Sequence, residues 1–234
     1  MIKQWVLGAS TLALSVAALA GGPAPVVSGQ PYATQFYVEG HGGMTWQNWE
    51  GQQSTLTSLV TGWPFNPVLQ TPTWKNGKHR GLYGASAGWK FLPKLAIEVG
   101  YRGYTDASYS GKNYTGLRGN RDQFDLDGKI QSSLFYAGVR YRVLTVSRFT
   151  VYATAAVARS LNKYDWTRVE GAAATTVTGN NKVNFTTLMG ALGVHFALSQ
   201  RLYVGAQVMY VPGKSGDFKV PAQTSADGFI GFNF

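Results

Sequence analysis

From Gln35 to the last residue, side-chain character repeatedly alternates with a period of two, and no long apolar run interrupts it. Between Leu95 and Tyr104 the alternation sets Leu95, Ile97, Val99 and Tyr101 against Glu98, Gly100 and Arg102. Successive side chains of a β-strand point to opposite faces, so such a segment has one apolar face and one small or polar face. The pattern predicts strands over Gln35 to Trp46, Gly81 to Phe91, Leu95 to Tyr104, a segment ending near Val143, one beginning at Phe149, about Val183 to Leu198, one beginning at Leu202, and Thr224 to Phe234.

What each face meets follows from composition. Charged residues are 14% of the chain, against about 25% in an ordinary soluble domain. Aromatics are also 14%, and Gly numbers 29. No segment after the N-terminal leader has the 18 or so consecutive apolar residues of a membrane-spanning helix. Alternation dilutes the lipid-facing residues of a membrane barrel in this way. A soluble barrel would turn its aromatic face into a core. Here the opposite face carries Glu98, Arg102, Arg140, Arg142 and Asp227, which suits a polar lumen. The predicted fold is therefore all-β, a transmembrane antiparallel up-and-down β-barrel of eight strands; a further hairpin inside a long connection would make ten, and the sequence leaves both open.

The connections support this. Leu92-Pro93-Lys94, Leu144 to Arg148 and Ser199 to Arg201 are short. Gln47 to Arg80, Thr105 to about Gln123, Ser160 to about Lys182 and Pro212 to Gln223 are long. Short periplasmic turns and long outer loops are the expected asymmetry. On this trace Phe36, Trp89, Phe91, Tyr141, Phe149, Phe196, Phe232 and Phe234 lie at periplasmic strand ends. Trp46, Tyr83, Tyr101 and Tyr210 lie at outer ends, as interfacial girdles require.

Residues 1–20 read as a secretory signal: Lys3, an apolar stretch from Trp5 to Leu19, and the small-x-small site Ala18-Leu19-Ala20. Residues 21–34, rich in Pro and Gly, read as a flexible periplasmic lead-in, and 35–234 as the barrel. The formal charge of +10 would suggest nucleic acid for a soluble protein. Export argues against that and favours lipid phosphate at the cell surface. With no Cys and three His, neither disulfides nor a metal site is expected, and no cofactor is expected.

Leu95-Ala96-Ile97-Glu98-Val99-Gly100-Tyr101, Gly138-Val139-Arg140-Tyr141, Gly190-Ala191-Leu192-Gly193-Val194 and the ending Gly228 to Phe234 resemble the OmpA-like and related small outer-membrane β-barrel families. The resemblance spans roughly Phe36 to Phe234 and implies the barrel domain without a peptidoglycan-binding domain. It implies that Ile230, Phe232 and Phe234 are read by the barrel-assembly machinery. It also places Glu98 on a strand similar to the one that carries the family's lumen glutamate.

Glu98, Arg102, Arg140, Arg142 and Asp227 are expected to form lumen ion pairs, either as a polar plug or as the gate of a narrow ion path. Basic residues assigned to the outer connections, Lys75, Lys78, Arg80, Lys112, Arg118, Arg121, Lys163, Arg168, Lys182, Lys214 and Lys219, are either partners for lipopolysaccharide phosphate or ordinary solvated loop charge. Trp49, Trp63, Phe65 and Trp74 in the first long connection are expected either to form an extracellular contact surface or lid, or to pack against other loops. Enzymatic motifs are missing. The His-x-Ser arrangement of barrel lipid A deacylases fails because Gly43, Gly81 and Ala197 follow His41, His79 and His195. What is left is a triad of Ser and His distant in sequence. The expectation is a non-enzymatic structural or interaction protein of the outer membrane, with a narrow pore or small-molecule transport channel as the alternative and a lipid A-modifying enzyme as the third reading. Its expected partners are outer-membrane lipid and lipopolysaccharide, the assembly machinery, and an extracellular ligand of unknown kind.

Overall fold

The computed structural model describes residues 35–49, 69–115, 122–170, 175–215 and 219–234. The signal, the lead-in, Trp63, Phe65, Arg118 and Arg121 lie outside them.

The strands are β1 (Gln35–Gln47), β2 (Leu69–Lys75), β3 (His79–Leu92), β4 (Leu95–Tyr104), β5 (Ala107–Thr115), β6 (Asp122–Val146), β7 (Phe149–Glu170), β8 (Thr175–Ala197), β9 (Leu202–Val211) and β10 (Gln223–Asn233). Eight of them close a ring in the order β1-β3-β4-β6-β7-β8-β9-β10, and β10 pairs back to β1. Every pairing is antiparallel. A closed ring leaves no unpaired backbone edge in hydrocarbon, which only a helix or a closed barrel achieves.

The other two segments prolong wall strands outward. β5 continues the ladder that β4 makes on β6: Gly103 pairs with Ser133, and Ala107 with Ile130. Between these pairs three residues, Tyr104 to Asp106, face two, Gln131 and Ser132, a bulge at Thr105-Asp106. Thr105 repairs the break by exchanging bonds with Gly81, backbone N to O at 2.9 Å and Gly81 N to Oγ1 at 2.8 Å. β2 in turn pairs with β5 and joins β3 through Asn76-Gly77-Lys78, with Asn76 at a φ of 58°, a left-handed conformation that Asn tolerates.

The predicted lipid face points outward. Phe36, Val99, Val139, Val157, Leu188, Leu192, Val208 and Ile230 are among its exposed apolar residues. Two expected connections are corrected. Thr105 to Gln123 and Ser160 to Lys182 are largely strand, and β7 and β8 pair from Phe149↔Phe196 to Glu170↔Thr175. The cause is an inversion of the alternation. Low on β6 the outward residues are Phe135, Val139 and Tyr141, and the inward ones include Tyr136 and Arg140. Higher up, Asp127 and Lys129 face outward while Leu126 and Ile130 are buried. β7 changes likewise, from outward Val157 to outward Lys163 and Asp165 over buried Tyr164. Beyond the bilayer the outer face meets water, so the apolar side must turn inward.

Glycine makes room for lumen aromatics at close quarters. A Cβ on Gly100 would lie 2.4 Å from the Tyr136 ring, and one on Gly88 2.1 Å from the ring of Tyr37. Each ring lies flat on a neighbouring strand where any larger residue would clash.

Candidate functional site: the filled lumen

The lumen is built in three storeys. The lowest is polar and centred on Arg140 of β6. Its Nη1 is 2.6 Å from Glu39 Oε1, its Nη2 is 2.7 Å from Glu39 Oε2, and the same Nη2 is 2.6 Å from Glu98 Oε2. The guanidinium lies over the rings of Tyr152, at 4.2 Å, and Tyr37, at 5.1 Å. The remaining carboxylate lone pairs take hydroxyl protons. Tyr37 donates to Glu98 at 2.6 Å and Tyr136 at 2.8 Å, while Ser86 and Tyr203 donate to Glu39 at 2.9 and 3.0 Å. Buried charges persist only when paired and hydrogen-bonded in this way.

Of the five lumen residues expected from sequence, only Glu98 and Arg140 pair with each other. Asp227 accepts from Gln207 Nε2 at 3.2 Å and meets His41 Nδ1 at 2.8 Å. Arg102 reaches no carboxylate among the described residues: it bonds the carbonyls of Ala85 and Tyr101 and donates to the Tyr136 hydroxyl at 3.3 Å. That hydroxyl links it to Glu98. Arg142 joins no ion pair among the described residues; with Lys90 it lines the periplasmic vestibule. Glu39 and His41, absent from the expected set, complete the centre. Their signal was available, because both share the inward phase of β1.

Ser86, His41 and Asp227 stand in the order of a serine-hydrolase triad, with Ser86 Oγ 3.0 Å from His41 Nε2. The Ser86 proton, however, goes to Glu39, so its lone pair faces the imidazole. The His41 and Asp227 side chains are closed to solvent, and Phe229 packs on the imidazole at 5.3 Å. The arrangement orients His41.

The second storey is mainly apolar: Leu82, Leu134, Met189, Met209 and Val211 fill the bore with Tyr104, while Arg102, level with Leu134, and Thr45 and Ser225, level with Met209, are buried beside them. Above it, Arg80 corrects an expectation. It is no solvated loop base but is 2% exposed, bonded to Gln47 and to Ser132 Oγ and lying over the Tyr104 ring.

The third storey closes the outer mouth. Trp49, Ala107, Tyr109, Leu126, Ile130, Tyr164, Val183 and Val220 pack together inside the extended sheet. Trp49 is 1% exposed, stands edge-on to Tyr164 at 5.8 Å and donates to Gln47 Oε1 at 3.1 Å. It faces inward, into the cap. Trp74 contributes its backbone to β2. Burial in this cap pushes the phenols of Tyr109 and Tyr164 above their ordinary values. On the rim, the hydrogen bond to Asp106 at 2.8 Å holds the Lys129 ammonium above the usual lysine value.

The closing strand brings Ile230 and Phe234 to the outer wall, with Phe232 packed on Phe234 at 5.1 Å. The backbone N–H of Phe234 donates to the Phe36 carbonyl at 2.9 Å.

The model of the outer membrane protein beta-barrel domain family matches residues 8–233. The chain belongs to that family. It is an outer-membrane protein. Among solved structures, the N-terminal β-barrel domain of Pseudomonas aeruginosa OprF is similar at 11% identity over 86% of this chain and 97% of that one, with a TM-score of 0.44. Ail, the attachment invasion locus protein of Yersinia pestis, is 12% identical over 86% of this chain and 98% of that one, with a TM-score of 0.43. Neisserial surface protein A is 16% identical over 85% and 97%, with a TM-score of 0.42. No curated protein matches the chain.

Proposed function

We propose that this family member is a structural and interaction protein of the outer membrane: a non-conducting barrel that presents a folded β-sheet above the cell surface. The observation that carries the reading is the stacking of two unlike barriers in one bore. Ions entering through the vestibule of Lys90 and Arg142 would meet the charged centre of Glu39, Arg140 and Glu98, and then the packed side chains of Leu82, Leu134, Met189 and Met209. A small barrel is just wide enough for its own side chains.

The interacting part is the sheet β2-β5-β6-β7-β8. Across it lies a polar hollow of about 490 Å³, bordered by Asp127, Lys129, Asp165, Thr178 and Asn180. Both charge signs and uncharged donors there suit a polar extracellular ligand. The last strand, with Ile230, Phe232 and Phe234 in one phase, serves recognition by the assembly machinery.

The test is planar-bilayer recording of the refolded protein. No unitary conductance above background is expected. Reproducible channels would overturn the closed reading and favour a narrow pore.

A further inference from the structure

The outer wall carries an apolar groove of about 890 Å³, running across β1, β3, β4, β6 and β7. Its floor is made of Gly40, Ala85, Ala87 and Ala137. A Cβ on Gly40 would meet nothing within 4 Å, so the hollow is open rather than filled by neighbouring side chains. Tyr101 and Phe135, in contact at 4.9 Å, wall its upper side. One end finishes on Arg159 of β7 and Thr186 of β8, which are cross-strand neighbours.

Arg159 is out of place on a lipid face. It is exposed, its Nη1 donates to Thr186 Oγ1 at 3.2 Å, and no carboxylate pairs with it among the described residues. Its height explains what it can meet. It lies ten residue steps beyond Phe149 at the periplasmic turn. At a rise of ~3.3 Å per residue and a tilt near ~40°, that is about 25 Å, the full height of a barrel's apolar band. The inversion of the alternation falls at the same level. The guanidinium therefore stands at the border between outer-leaflet acyl chains and headgroups. Above it Lys163 and Lys182 are paired directly opposite each other, a like-charge arrangement unfavourable in isolation. Lys163 leans on Asp165 at 2.9 Å, and Lys182 is exposed. An anionic headgroup resting on this column would offset the repulsion.

We propose that this wall seats a phosphorylated, multiply acylated lipid of the outer leaflet, with an acyl chain in the groove and a phosphate on Arg159 and Thr186. The seat rests on the membrane placement and is independent of whether the lumen conducts. The small floor residues let a chain approach the backbone, and charge-assisted hydrogen bonds from guanidinium to phosphate fix the head.

The experiment is native mass spectrometry of the detergent-refolded protein titrated with hexa-acylated bisphosphoryl lipid A. The same lipid stripped of its phosphates and phosphatidylglycerol are run in parallel, and heat-modifiable gel migration confirms folding of each variant. Wild type should retain one bisphosphoryl lipid. R159Q should weaken retention about tenfold, the loss of one charge-assisted hydrogen bond. A137L, which fills the floor while leaving Arg159 intact, should weaken it as well. R201Q, a charge change at a periplasmic turn, should leave it unchanged. Equal retention by R159Q and wild type would overturn the proposal. So would equal retention of the phosphate-free lipid or of phosphatidylglycerol, or a loss in R201Q matching that in R159Q.

Discussion

Replacing Arg140 by Met tests what locks the wall. The guanidinium makes three contacts of 2.6 to 2.7 Å with two carboxylates, and its side chain is 8% exposed. Met keeps much of the apolar stem but strands Glu39 and Glu98 without a cation between them. Removing one partner of a buried pair costs about 3–5 kcal/mol, because the remaining charge stays desolvated. Here two carboxylates are stranded, although Tyr37, Tyr136, Ser86 and Tyr203 still donate to them. The expected loss for R140M is therefore about 3–5 kcal/mol. The triple variant R140M/E39Q/E98Q removes the charges together and should recover to within about 2 kcal/mol of wild type, as replacing a whole buried pair typically does. The assay is reversible urea unfolding from lipid vesicles, followed by tryptophan fluorescence and heat-modifiable migration. A loss below about 1 kcal/mol for R140M, the scale of an exposed ion pair, would refute the claim that this centre locks the barrel. A triple variant no more stable than R140M would show that packing, not charge, is what Arg140 supplies.

The same variant should stay electrically silent in planar bilayers, because Leu134, Met189 and Met209 still close the bore above it; channels in R140M alone would show that the apolar layer is no barrier. Y136F removes one bond to Glu98 and one from Arg102 and should cost about 1–3 kcal/mol in the same unfolding assay. G100A, whose Cβ would sit 2.4 Å from the Tyr136 ring, should lose about 1–3 kcal/mol. G42A, with nothing within 4 Å, should stay within about 0.5 kcal/mol of wild type, and equal effects would discard the ring-on-glycine argument. W49A should cost about 3–5 kcal/mol and remove a blue-shifted component of the emission spectrum; an unchanged spectrum would mean that Trp49 is not in the cap.

The barrel was legible because a lipid-facing strand must repeat one simple pattern. Leu95 to Tyr104 could be read end to end, and β4 has those bounds. The turn at Pro93-Lys94 and the closing phase of Ile230 and Phe234 followed from the same rule. The pairing inside the lumen was not legible. Parity places Glu39, Glu98, Arg102, Arg140 and Asp227 on the inner face, but which carboxylate meets which cation depends on strand stagger. Glu39 and Arg140 lie on strands that are not adjacent, and they meet across the bore. No spacing along the chain encodes that contact. Arg80 failed differently. It stands at the foot of a long connection and looks like a loop base, yet it shares the inward phase of β3 with buried Leu82.

The inversion of the alternation explains both the failure in the outer strands and the placement of the membrane border. A rule that seeks apolar residues outward finds none in Asp127, Lys129, Lys163 and Asp165, and reads loop. The backbone ladder nonetheless runs unbroken from Phe135↔Arg159 to Phe124↔Glu170, because hydrogen bonding does not depend on which face is dry. What changes at that point is the solvent. Below it hydrocarbon accepts Val157, and the polar residues must find partners in the lumen. Above it water accepts Lys163, and the apolar residues must find a core. Tyr164, Leu126 and Ile130 find that core against Trp49 and Val220, which enter from two separate connections. The cap is thus a small soluble-type core grown on a membrane wall. It holds the outer strands in register where lipid no longer does, so a substitution such as W49A should loosen the surface sheet while leaving the lower ring of Arg140 intact.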